Sequence, residues 1–141
     1  MESYFPPEAQ KIMTERFGRD TLLALATVEK DTPWVRTVNA YYEAGCFYVI
    51  TYALSNKMLQ IEKNNKVSVA GDWFTAHGWG ENLGHILLEK NRPLAAKLRA
   101  AFDAWYGNGH TNEEDPNTCI LCVHLEKGVL FSHGTRYDIV F

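Results

Sequence analysis

The chain has 141 residues, 46% hydrophobic and 22% charged, with a net charge of -3. That length and make-up suit one globular domain with one sizeable core. The slightly acidic balance, without any basic run, argues against a nucleic-acid surface, and no apolar stretch approaches the ~20 residues of a membrane span.

The first segment, Met1 to Arg16, is polar and helix-patterned, with no apolar signal-peptide core. A cytoplasmic location is therefore expected. Pro6 and Pro7 open a helix to about Phe17. Ala9, Ile12, Met13 and Phe17 share one face, and Gly18 is a fitting stop. Thr21 to Glu29 is an apolar, β-capable run. Lys30 to Pro33 is a turn, Trp34 to Glu43 a strand, and Glu43-Ala44-Gly45 a hairpin turn. Cys46 to Tyr52 is the next strand. Asn56 to Asn64 is a short helix, and Lys66 to Phe74 a further strand.

Thr75 to Asn91 contains Gly78, Gly80 and Gly84, and reads as one or two strands bent at glycines. Asn91 is the expected cap of a helix from about Arg92 to Tyr106, with Pro93 in its first turn. Gly107 to Asn117 is a polar loop. Thr118 to Glu126 and Gly128 to His133 are expected to form a hairpin through Glu126-Lys127-Gly128. Tyr137 to Phe141 is the last strand. The predominance of strands favours an antiparallel barrel or sandwich over a doubly wound sheet.

The three cysteines are Cys46, Cys119 and Cys122. An odd count without a secretion signal argues against a disulfide framework. In a strand, residues three apart face opposite ways. Cys119 and Cys122 therefore read as ordinary core cysteines rather than a metal or redox pair. The five histidines show no metal-ligand spacing. Trp73 and Trp79 read as core, with stacking on a flat cofactor as the functional alternative.

The short helix opens unusually. A helix N-terminus carries about +0.5 elementary charge and favours acidic residues. Here Ser55-Asn56-Lys57 places a cation there, and Met58 stands where a capping box would have Glu or Gln. A bound anion would repair this: free backbone N–H groups, the Ser55 hydroxyl and the Lys57 ammonium together suit a phosphate.

The run Pro33 to Phe74 resembles the core of the pyridoxamine 5'-phosphate oxidase-related flavoproteins. Its matching features are Arg36 on the second strand, Tyr52 and Ser55-Asn56-Lys57 after the third, then Leu59 to Asn64 and Val67-Ser68-Val69. The resemblance implies one domain over residues 1–141. That domain would be a mainly β, antiparallel, FMN-binding split β-barrel with short peripheral helices. It also implies that Arg36, Ser55 and Lys57 hold the FMN phosphate, with Asn56 where many members carry a basic residue. Backbone around Thr37, Val38 and Asn39, and around Ile50, Thr51 and Tyr52, would line the flavin ring. Two departures stand out. Tyr41 replaces the lysine that true pyridoxamine phosphate oxidases carry five residues after the arginine. The stretch Ser132 to Phe141 has no Arg-Leu-His-type segment to grip the substrate phosphate. Vitamin B6 oxidation is therefore not implied.

The function expected is an FMN-dependent oxidoreductase passing electrons or hydride from a reduced donor to a small organic acceptor or oxygen. The rivals are a non-catalytic flavin- or haem-binding stress protein and a deazaflavin-dependent reductase on the same fold. The last would need a longer basic groove. The resemblance further implies a homodimer with FMN at its interface. Rings on both faces of the hairpin carrying Tyr41, Tyr42, Phe47, Tyr48 and Tyr52 point the same way, since large exposed apolar patches mark interfaces.

Overall fold

Seven strands build the molecule, with burial alternating every second residue in β1, β3 and β4, whereas β6 is buried on both faces over Thr118–Val123. A computed structural model describes residues 2–141; the Met1 end of the segment read as signal-free lies outside the described residues. In chain order the elements are α1 (Pro7–Phe17), β1 (Thr21–Glu29), β2 (Thr32–Glu43), β3 (Cys46–Tyr52) and α2 (Asn56–Lys63). Then come β4 (Lys66–Gly71), β5 (Phe74–His85), a 3-10 turn at Glu89–Asn91, α3 (Arg92–Ala101), α4 (Asp103–Tyr106), β6 (Thr118–Ser132) and β7 (Thr135–Val140). Every named strand pair is antiparallel. The order is β3-β2-β1-β4-β5-β6-β7, and β3 also pairs with β6. Six strands thus close into a barrel, and β7 extends it from β6.

Alternate side chains fill the interior. Leu23 and Leu25 of β1, Phe47 and Val49 of β3, and Leu121 and Val123 of β6 are buried in one cluster. Helix α1 adds Met13 and Phe17 to that cluster. The Phe17 ring lies 5.6 Å from Phe47 and 5.5 Å from Phe74, in the edge and tilted geometries that aromatic pairs prefer. A second, smaller core forms on the outer wall, where Ile86, Ala95, Leu98 and Phe102 cover Ile120. Tyr41 and Tyr48 pack against it. The rings of the β2–β3 hairpin are therefore covered by this chain's own helices or barrel interior, Tyr52 excepted. On β1 and β2 the exposed large apolar residues are Leu22, Trp34 and Val35; others, such as Leu54, Trp73 and Leu87, are scattered elsewhere on the surface.

Several sequence expectations are corrected. No hairpin forms at Glu126-Lys127-Gly128; β6 runs through it, and the turn comes at His133-Gly134, both at positive φ. Gly128 serves close strand packing instead. A Cβ there would lie 2.9 Å from both the Ala76 Cβ and the Thr75 carbonyl oxygen. Asn91 stands at the N-cap of α3 as expected, but its side chain makes no cap bond. Its side-chain amide donates to the Leu83 and His85 carbonyls, at 3.0 and 2.9 Å, and ties the end of β5 to the helix. The helix expected to Tyr106 breaks at Phe102 (φ -96°, ψ 16°), whose ring is fully buried in the smaller core. Thr75 to His85 lies in a single strand, β5, with irregularities at His77/Gly78 and Asn82/His85.

The barrel is closed but incompletely zipped. β2 pairs with β3 only over Tyr41–Glu43 against Cys46–Tyr48. Beyond that, β2 stays with β1 through Arg36–Ala40, and β3 stays with β6 through Val49–Tyr52. The two strands part there, each with one edge lacking a strand neighbour. Alternation leaves every second N–H and C=O on those edges free to bond elsewhere.

Candidate functional site

The parting of β2 and β3 forms a cavity of about 380 Å³. From the barrel it is lined by Val38, Asn39, Val49, Ile50, Thr51 and Lys57. Trp105 of α4 and Asn108, His110 and Thr111 of the following loop complete it. Asp20 fixes both sides of the rim. Its carboxylate accepts from the Asn39 amide at 3.0 Å and from the Trp105 indole N–H at 2.9 Å. The loop is held by Glu113, which accepts from Arg99 Nε at 2.7 Å and Nη2 at 2.9 Å and from the Tyr106 hydroxyl. Arg99, before all else, holds the Glu113 carboxyl below its ordinary pKa.

The cavity ends on an uncapped helix. Ser55 occupies the N-cap of α2 without a side-chain cap bond, and the first turn has no acidic residue. Lys57 donates to the Ser55 hydroxyl at 3.5 Å. Burial, and next the nearby Arg36, lower the Lys57 pKa. Burial lowers that of Arg36 too. Among the described residues neither cation makes an ion pair. Arg36 is aimed by neutral partners. Its Nη1 donates to Thr27 Oγ1 at 2.7 Å and to the Leu25 carbonyl at 3.3 Å, and its Nη2 to Gln60 Oε1 at 3.2 Å. The Thr27 hydroxyl in turn donates to Gln60. Thr27 and Gln60 are both buried. A guanidinium has further N–H donors beyond these three bonds.

The ten residues singled out by sequence thus separate. Val38, Asn39, Ile50, Thr51 and Lys57 line one cavity, while Ser55 and Arg36 stand beside Lys57. Thr37 is exposed on β2 outside the cavity lining, and Tyr52 is exposed with its oxygen 3.5 Å from the Asn117 amide. Asn56 lines a different groove, beside Val28, Glu29 and Lys63. Sequence reasoning missed Thr27, Gln60, Asp20 and the loop residues. The partners that orient Arg36 lie 9 and 24 residues from it in sequence, with no motif linking them.

These features can be set beside known proteins. The profile of the family described as pyridoxamine 5'-phosphate oxidase matches residues 9–131. The chain belongs to the pyridoxamine 5'-phosphate oxidase family. No curated protein matches its sequence. Solved structures do match its fold. General Stress Protein 26 from Bacillus anthracis str. Sterne aligns with a TM-score of 0.68 at 18% identity, covering 92% of this chain and 97% of that one. A FAD-binding protein from Mesorhizobium loti aligns at 0.67 and 15% identity, covering 90% and 94%. A heme binding protein from Mycobacterium smegmatis aligns at 0.67 and 14% identity, covering 96% of this chain and 58% of that one.

Within this family member, the tryptophans considered for ring stacking lie elsewhere. Trp73 is exposed at a turn with φ 51°, and Trp79 stacks on His124 with ring centroids 4.0 Å apart. The tryptophan at the cavity is Trp105. His85 is structural: its Nδ1 accepts from the Leu87 N–H at 3.1 Å and its Nε2 donates to the Asp115 carbonyl at 2.9 Å. Cys119 faces the barrel interior, where burial pushes its thiol up to about 11. A larger depression of about 780 Å³ lies over β4 to β7, lined by Val69, Ala76 and Ile139 among others. It contains no comparable pairing of free cations. No helix among the described residues is long and apolar enough to cross a membrane.

Proposed function

We propose that the chain binds FMN in the parting between β2 and β3 and serves as an oxidoreductase. Electrons or hydride would pass from a reduced donor to a small organic acceptor or oxygen. The observation that carries this reading is the flat cleft between two free strand edges, ending on two cations without counter-ions. A phosphate dianion suits that end. It would take charge-assisted hydrogen bonds from Lys57 and Arg36 and N–H bonds from the start of α2. A planar ring suits the edges, where backbone N–H and C=O groups of residues 38–39 and 50–51 would bond its polar rim. Trp105 and the 107–117 loop would shield it from water. When bound, the flavin supplies the hydride and one-electron chemistry.

The visible spectrum of purified protein, followed by extraction and mass measurement of the pigment, tests this. A flavin band with released FMN is expected. A colourless protein that fails to take up added FMN would defeat the reading. A second reading, haem binding without turnover, is favoured by His110 at the cavity and by the haem-binding structural neighbour. A Soret band would select it.

Assembly belongs to the same proposal. A homodimer would cover the exposed Leu22, Trp34 and Val35 and bring a second chain to the open side of the cleft.

A further inference from the structure

The outer wall of the barrel carries a second cluster. Two adjacent rows of three residues cross β3, β6 and β5. Cys46, His124 and Trp79 pair across one row, and Tyr48, Cys122 and Glu81 across the next. Alternation puts all six on one face. Cys46 Sγ, Cys122 Sγ and a ring nitrogen of His124 all lie within 4.8 Å of one another. The Cys46 sulfur is 3.6 Å from His124 Nδ1. His124 Nε2 is 2.8 Å from the Glu81 carboxylate, and Trp79 stacks on the ring.

We propose that Cys46, Cys122 and His124 form a binding site for a zinc-class d10 metal ion. Thiolate and imidazole are the ligands such ions choose, and three protein ligands leave a fourth position for water or another donor. The geometry supports this. Tetrahedral bonds of ~2.3 Å to sulfur and ~2.05 Å to nitrogen place the two donor atoms roughly 3.6 Å apart, close to the separation seen. The Glu81 carboxylate accepts a hydrogen bond from Nε2–H, the tautomer that leaves the Nδ1 lone pair facing the two sulfurs. A carboxylate on the far nitrogen is the usual partner of a metal-binding histidine. Binding would displace both thiol protons to give a neutral Cys2His site, so affinity would rise with pH.

A disulfide between Cys46 and Cys122 is the competing outcome. The two are diagonal rather than direct partners, and such Cα atoms typically lie about 7–8 Å apart. That exceeds the usual reach of a disulfide. The site is separate from the β2–β3 cleft and does not depend on the FMN reading.

Titration of the full, reduced chain with Co²⁺, then displacement by Zn²⁺, tests the assignment. One equivalent giving thiolate charge-transfer and tetrahedral d–d bands is expected, all lost on zinc addition. Cys46→Ser and Cys122→Ser should each abolish the bands while keeping the wild-type far-UV circular dichroism. Cys119→Ala should keep both. Glu81→Gln should weaken zinc about 10–100-fold. Absence of the bands in wild type, or their survival in Cys46→Ser, would overturn the proposal. So would a single titratable thiol in air-purified, metal-free protein, since that identifies the pair as a disulfide.

Discussion

Arg36 stands close enough to Lys57 to add to burial, the larger cause, in lowering the ammonium's pKa, and among the described residues neither cation makes an ion pair. Two partly buried cations held together are a standing cost to the fold. An anion of double charge relieves it.

Lys57→Ala should therefore weaken FMN roughly tenfold or more, since a hydrogen bond to a charged group is worth about 1.5–3 kcal/mol. Riboflavin lacks the phosphate and should bind nearly unchanged. Equal losses for both ligands in a fluorescence titration would remove the phosphate from this end of the cleft.

Gln60 sets the aim of Arg36. Its Oε1 accepts from Arg36 Nη2 and from the Thr27 hydroxyl. Gln60→Leu keeps the volume but leaves both donors short of a partner, which should destabilise the fold by about 1–3 kcal/mol. FMN affinity should also fall several-fold, while riboflavin affinity holds. Urea unfolding and the same titrations would measure both, and an unchanged FMN affinity would separate Gln60 from the site.

Glu113 ties the loop over the cavity to Arg99 and Tyr106. Its folded pKa lies below the ordinary 4.5, chiefly through the Arg99 hydrogen bonds. The unfolded chain thus binds its proton more readily. The associated stability is complete above the ordinary carboxylate range and lost as pH falls through the folded pKa. For this half-exposed pair it is about 0.5–1 kcal/mol. Glu113→Gln should cost that amount at about pH 7 and nothing at pH values well below 4, and should speed amide exchange at Asn108 to Thr111. Denaturant melts at the two pH values check the first expectation. Protection factors unchanged by the substitution would count against the loop tether.

The flavin-loaded protein should sediment as a dimer at micromolar concentration, with an interface burying more than about 2,000 Å² in total. Val35→Glu, on an exposed position of β2, should push it toward monomer and lower its flavin content together. A monomer with full flavin content would refute the shared site.

Much of the barrel is legible in residue order because apolar, β-branched and aromatic runs stand between turn residues. Thr21–Glu29 and Cys46–Tyr52 can be read off directly for that reason. The uncapped start of α2 is legible too, because capping is a local matter of a few residues. Gly128 misleads for a physical reason: glycine signals a turn in isolation, yet here it permits a close approach between β5 and β6. The C-x-x-C is legible in part. Its two sulfurs do face apart, Cys119 into the barrel and Cys122 outward, but Cys122 then meets Cys46 and His124 from a neighbouring row.

The sequence by itself determined where most strands lie, an antiparallel barrel or sandwich, and the cationic helix start, since each depends on side-chain chemistry along short stretches. Only the tertiary structure decided where β2 leaves β3, which loop closes over that parting, and which cysteine lies beside which histidine. Those outcomes depend on strand pairing between segments as distant as Cys46 and His124. Backbone hydrogen bonds in a ladder are alike at every register, so no local residue pattern names the partner. The choice is made by the packing of the whole core.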